Sequence, residues 1–192
     1  MAILILGIIL FLGLHLVRVV APGFRSGMVD KFGENGWKGI YSIASIVSIV
    51  VLIYGWASSP TINLWFPPVG MSHLTVTLML FAMICLAAAE LPAGHIATKT
   101  RHPMILGVKI WAFSHLLANG DLASVLLFGS FLAWGVILRI ALKRRERAGL
   151  ITPRPFVSAK YDLIAIGVGA LIWALFVWKL HFWLIGVAPI PM

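Results

Sequence analysis

The sequence predicts an all-α protein, a polytopic membrane helix bundle with about six transmembrane helices. Three observations predict this class: 61% of the 192 residues are hydrophobic, only 11% are charged, and the mean hydropathy is +1.02. A water-soluble domain of this length cannot bury so much apolar surface, because burial on folding is incomplete at this size. Soluble enzyme folds, disordered tails and disulfide-rich secreted scaffolds are therefore excluded.

Six apolar segments support this prediction, since a bilayer core of about 30 Å requires about 20 apolar residues in a helix. The segments lie near residues 2–20, 37–57, 70–90, 103–118, 122–142 and 161–183. We expect the first to be retained rather than cleaved as a signal peptide, because no basic residue precedes its apolar run. The connections are short, so we expect a single domain over residues 1–192.

The basic residues of the connections indicate the orientation in the membrane. Every Lys and Arg except Lys179 flanks the first, third or fifth connection, and the second and fourth connections carry none. Because positive loops stay in the cytoplasm, both termini are predicted to lie outside. The net charge of +9 is thus an orientation signal. The expected partners are the lipid bilayer and its anionic headgroups, not nucleic acid.

Two histidines, His15 in the first predicted span and His115 in the fourth, lie where ionisable groups are costly, so both are functional candidates. Taken singly, each is better explained as a packing residue bonded to a neighbouring helix. Taken together, two imidazoles on different helices are the simplest way to hold a haem iron axially. The sequence shows neither the carboxylate cluster of a di-iron centre nor the cysteines and close histidine pair of a zinc site.

The predicted cofactor site contains four more residues: Arg18, Lys99, Arg101 and Trp111. Arg18 follows His15 by three residues and therefore shares its helix face. Trp111 precedes His115 by four residues and lies on the same stripe. Lys99 and Arg101 lie at the predicted cytoplasmic boundary, where they either pair with haem propionates or anchor the topology.

The segment Asn119-Gly120-Asp121 predicts a turn after the fourth span, with Asp121 as the N-cap of the next helix. Gly167, Gly169 and Ala170 in the last span are small residues expected to pack against a neighbouring helix. The sequence assigns no role to the remaining histidines, which lie near the predicted membrane interfaces: His73, His95, His102 and His181.

Three stretches together carry a family resemblance: Phe-Leu-Gly-Leu-His-Leu-Val-Arg at 11–18, Thr-Arg-His-Pro-Met at 100–104, and Trp-Ala-Phe-Ser-His-Leu-Leu-Ala-Asn-Gly-Asp at 111–121. Over nearly its whole length the chain resembles the NnrU family of bacterial membrane proteins. That family is named for a link to nitrite and nitric oxide metabolism in denitrifying bacteria. The resemblance implies a multi-pass protein of the bacterial inner membrane.

The NnrU family is similar in turn to the 15-cis-zeta-carotene isomerases, haem b enzymes that isomerise a central cis double bond of a carotenoid. The resemblance implies that His15 and His115 are axial ligands of haem b. After His115 the chain reads Leu-Leu-Ala-Asn-Gly-Asp, which is the NnrU pattern and departs from the isomerase one.

Three functions follow from these observations. The first is a haem b membrane protein with isomerase-like or redox chemistry on a lipophilic, carotenoid-like substrate. The second is a membrane methyltransferase that uses S-adenosylmethionine, because Arg-His-Pro also opens a helix in isoprenylcysteine carboxyl methyltransferases. The match there is partial, since the region of the later acidic pair and tyrosines offers only Glu146 and Tyr161. The third is a non-catalytic accessory or sensory subunit.

Overall fold

The computed structural model describes residues 1–190, except for the side chain of Arg18, and the regular structure within that part of the chain is helical. The α-helices are α1 (Ala2–Val20), α2 (Pro22–Ala57), α3 (Met71–Glu90), α4 (His95–Thr100), α5 (Pro103–Ala118), α6 (Leu122–Arg147), α7 (Lys160–Leu175) and α8 (His181–Ile185). A π-helical turn, Phe176–Leu180, connects α7 to α8, so Lys160–Ile185 is continuous. The predicted all-α class is confirmed.

Four helices are long and apolar enough to cross a membrane: Pro22–Ala57, Met71–Glu90, Leu122–Arg147 and Lys160–Ile185. The apolar helices Ala2–Val17 and Pro103–Ala118 are shorter than the other four. The structure thus supports a membrane protein with four candidate spanning helices. The count of six spans and the location of the termini stay predictions.

The ends of α5 and the start of α6 follow the sequence signals. Pro103 occupies the first turn of α5, where its missing N–H is not needed. Asn119 ends α5, and its Nδ2 donates to the His115 carbonyl (2.8 Å). The Asp121 carboxylate accepts from the Ser124 amide (2.9 Å), which confirms Asp121 as an N-cap.

The second helix begins earlier than the sequence suggests, at Pro22 instead of near residue 37. Its two parts join at Gly33, whose φ of 73° lies in the left-handed region that glycine adopts without steric cost. The first part, 22–32, contains few buried side chains and falls in the predicted first connection. Pro22 occupies the first turn of this segment, where its fixed φ and missing N–H are compatible with a helix start.

Helix α6 lies between two groups of helices and packs against both. On one side α1 packs against α2 and α6, and on the other α3 packs against α5 and α7 while α5 packs against α6. Small residues allow the close approaches. A Cβ on Gly55 would lie 2.5 Å from the Leu4 backbone nitrogen, and one on Gly169 would lie 2.7 Å from the Ile84 Cα. The predicted packing role is therefore confirmed for Gly169 and wrong for Gly167, where a Cβ would meet nothing within 4 Å.

Candidate cofactor site

His115 lies near the end of α5, and one of its ring nitrogens makes a hydrogen bond within the helix. Its Nδ1 contacts the Trp111 carbonyl at 2.8 Å, and a carbonyl only accepts, so Nδ1 carries the proton. The ring packs against Phe128 of α6 with a centroid separation of 4.7 Å. This arrangement leaves the basic Nε2 available to a ligand, as in metal-binding histidines whose other nitrogen donates to a carbonyl.

His15 shows the same local arrangement on α1. Its Nδ1 donates to the Phe11 carbonyl at 2.7 Å, and its ring lies 4.3 Å from the Phe11 ring and 5.7 Å from that of Tyr41. It lines a small cavity of about 230 Å³ together with Arg25, Trp37 and other residues of α1 and α2. His15 is therefore also competent to bind a metal through Nε2.

Aromatic side chains lie between the two histidines. Phe11 packs against Phe131 at 5.8 Å, and Phe131 packs against Trp111 at 5.3 Å. The α6 neighbours of His15 and His115 are Trp134 and Phe128. These are six residues apart, or about 9 Å of helix rise. The structure thus places the two imidazoles in different cavities and at different heights in the bundle.

The cavity beside His115 is formed by α3, α5, the α7–α8 helix and the chain that follows it. It encloses about 230 Å³, within about 840 Å³ of empty space once its open mouth is counted. Its hydrogen-bonding side chains are mostly satisfied by backbone carbonyls: Thr75 donates to Ser114 and Trp173 donates to Val76, both at 2.8 Å. The cavity therefore offers an apolar lining with a few fixed polar groups, which is typical of cofactor sites.

A second histidine, His181, lines the same cavity. Its ring centroid lies 6.4 Å from that of His115, and the two ring planes differ by 22°. His181 Nδ1 donates to the Val187 carbonyl at 2.7 Å. Within the described residues neither Nε2 has a hydrogen-bond partner. Two imidazoles that line one cavity, each with Nδ1 bonded to a backbone carbonyl, fit the donor set of a haem iron.

The other predicted site residues lie away from this cavity. Trp111 lies among the aromatic side chains between the two histidines, with its ring centroid 5.6 Å from that of His115. Lys99 is exposed on α4, and Arg101 precedes α5 by two residues, about 20 Å from His115 at 1.5 Å per residue. The side chain of Arg18 lies outside the described part of the structure. The propionate contacts expected from these basic residues stay predictions.

A separate polar cluster joins the start of α5 to the end of α6. Glu146 accepts from Arg101 Nη1 at 2.8 Å and contacts His102 Nε2 at 2.6 Å, and its side chain is only 4% exposed. Arg101 has a φ of 63°, which is rare for a residue other than glycine. The cluster balances one buried carboxylate with two nitrogen donors and holds the α4–α5 connection against the end of α6. No group of three or more His, Cys, Asp or Glu residues placed to hold a metal ion occurs among the described residues.

A comparison with protein families identifies the chain. The model of the NnrU family, described as NnrU protein, matches residues 3–189. The chain belongs to the NnrU family. Comparisons with curated proteins and with solved structures found no match.

The NnrU match includes every residue of the candidate site, from His15 to His181. The relation of NnrU proteins to the carotene isomerases stays a prediction. His181 was missed by the sequence reasoning because it lies near the predicted end of a span, where a histidine is inexpensive. The signal that could have identified it is its spacing of eight residues from Trp173 and four from Val177, which places all three near one helix face.

Proposed function

We propose that this NnrU family protein binds haem b inside the membrane and that His115 would supply a nitrogen ligand to the iron. The observation that supports the proposal is the state of the His115 ring. Its Nδ1 is held by the Trp111 carbonyl, and its Nε2 faces a cavity with an apolar lining. His15 is the second ligand that the family resemblance predicts, and its Nδ1 likewise donates to a backbone carbonyl, that of Phe11.

We further propose that the protein crosses the bacterial inner membrane six times with both termini outside. The shorter helices α1 and α5 support this, because each is apolar and packs along α6, a helix long enough to span. With six spans, every connection that carries basic residues lies in the cytoplasm. An even number of spans also places the termini on one side.

The chemistry we propose is isomerase-like or redox conversion of a lipophilic substrate, linked to nitrite and nitric oxide metabolism by the family resemblance. Haem supplies electron-transfer and Lewis-acid chemistry when it is bound. The chain's own residues exclude water and orient an apolar molecule. Met79, Val76 and Phe176 contribute apolar surface to the cavity, while Thr75 and Trp173 hold their polar atoms on the helices.

The test is the visible spectrum of the protein purified in detergent, in oxidised and reduced forms. We expect a haem b spectrum that is lost or converted to the high-spin form in His115→Ala and is unchanged in the control His73→Ala, since His73 is an exposed histidine of α3. A protein that stays colourless when expressed with excess haem and after reconstitution with haem would contradict the proposal. A colourless protein that binds S-adenosylmethionine would support the methyltransferase alternative.

A further inference from the structure

We infer that His181, rather than His15, would supply the second nitrogen ligand to the iron bound by His115. The inference rests on the proposed haem binding and assigns a role to a residue that neither the sequence pattern nor the family resemblance singles out. Its basis is that His115 and His181 line one cavity, whereas the His15 ring lies in another one behind Phe11, Phe131 and Trp111.

The two rings lie close enough for one metal ion to bind both. If both Nε2 atoms pointed at one metal with bonds of about 2.0–2.1 Å, and each ring centre lay about 1.1 Å behind its nitrogen, the centroids would be separated by about 6.3 Å. The separation of His115 and His181 is 6.4 Å. The interplanar angle of 22° makes the two imidazoles nearly parallel. No other pair of histidine rings among the described residues packs at such a distance.

The π-helical turn Phe176–Leu180 determines the position of His181. On a regular α-helix Trp173 and His181, eight residues apart, would be separated by roughly 80° around the axis. A π turn accommodates one extra residue, which removes about 100° and returns His181 to the face of Trp173. Trp173, Val177 and His181 accordingly line the same cavity, whereas Leu180 does not. Such wide turns occur frequently at functional sites.

The chain after α8 fixes the ring of His181. Gly186 ends the helix with a φ of 83°, a left-handed conformation that reverses the chain direction. The reversal brings the Val187 carbonyl to 2.7 Å from His181 Nδ1 and places Val187 and Ala188 on the cavity wall. The carbonyl requires the proton on Nδ1 and so keeps Nε2 as the basic nitrogen. His181 is therefore oriented as a ligand in the same way as His115.

The experiment compares haem-loaded His181→Ala, His15→Ala and the control His73→Ala by visible and electron paramagnetic resonance spectroscopy in detergent. We expect the unmodified protein, His15→Ala and His73→Ala to give a low-spin spectrum with two imidazole ligands. His181→Ala should retain haem on His115 but convert to high-spin, and millimolar imidazole should restore the low-spin form. His181→Met should shift the spectrum to that of mixed His/Met ligation, which a merely structural role for His181 would not produce.

The outcomes separate this inference from the proposed function. A low-spin His181→Ala together with a high-spin His15→Ala would overturn the inference while leaving haem binding intact. A protein in which no variant, including the unmodified chain, binds haem would refute the proposed function itself. Should His181→Ala fail to fold, as shown by size-exclusion chromatography, His181→Met decides: an unchanged bis-imidazole spectrum in that variant refutes the inference.

Discussion

Replacing Glu146 with alanine should weaken the contact between the start of α5 and the end of α6. The substitution removes a carboxylate whose side chain is 4% exposed and which contacts Arg101 at 2.8 Å and His102 at 2.6 Å. The two nitrogen groups lose their common partner, and the left-handed backbone at Arg101 loses a contact that holds it. We therefore expect a lower free energy of unfolding.

The expected loss of unfolding free energy follows from the solvent exposure of Arg101 and His102. Arg101 is 51% exposed, so solvent screens its interaction, and we assign it about 0.5–1 kcal/mol. His102 is 20% exposed, and a hydrogen bond with a charged partner in such a place contributes about 1.5–3 kcal/mol. The sum is a loss of about 2–4 kcal/mol, which is large for a single substitution near a membrane surface.

The assay is reversible unfolding in mixed detergent micelles, followed by tryptophan fluorescence. Asp30→Ala is the matched control, because Asp30 is an exposed acidic residue of α2, and it should change stability by less than about 0.5 kcal/mol. If Glu146→Ala unfolds within that same margin of the unmodified protein, the cluster does not stabilise the α5–α6 contact. A double-mutant cycle with Arg101→Leu should assign the smaller share of the loss to Arg101.

Two further substitutions test the packing of the bundle. Asp162→Ala should lower the free energy of unfolding by about 1–2 kcal/mol, because the carboxylate accepts from the His95 and Ile96 amides at 2.7 and 2.8 Å and so caps α4. Faster hydrogen exchange in α4 is the expected measurement, and unchanged exchange would contradict the capping role. Gly169→Leu should cost about 1–3 kcal/mol against the backbone of Ile84, measured as a lower unfolding midpoint. Gly167→Leu, where a Cβ meets nothing within 4 Å, should not lower the midpoint, because leucine has a higher helix propensity than glycine. A midpoint lowered equally by the two substitutions would refute the close-approach argument.

Sequence reasoning succeeded where local chemistry decides the structure. The bounds of α5 follow from Pro103 at its start and from Asn119-Gly120 at its end, and the start of α6 follows from the Asp121 cap. The apolar segments near 2–20 and 70–90 match α1 and α3 for the same reason, because hydropathy alone determines their length. These features need no information from distant parts of the chain.

The features that were missed depend on contacts distant in sequence or on irregular backbone. Glu146 meets Arg101 and His102 across more than 40 residues of sequence, which no local pattern reveals. The π turn before His181 occurs in an apolar run with neither glycine nor proline, so a regular helix was the natural prediction. On a regular helix His181 would lie about 80° from Trp173, at the edge of the inward face. Its position near the predicted end of a span, where a histidine is inexpensive, gives the sequence pattern no reason to single it out.

Helix α6 packs against both groups of helices, and this determines how the bundle can deform. Because α1 and α2 contact the remaining helices mainly through α6, that pair can shift as a unit against the wall that α6 provides. Such a shear would change the surroundings of His15, whereas His115 and His181 belong to helices on the far side and would keep their spacing. Displacements driven by bilayer thickness or by a partner protein would thus be transmitted to one imidazole and not to the other two.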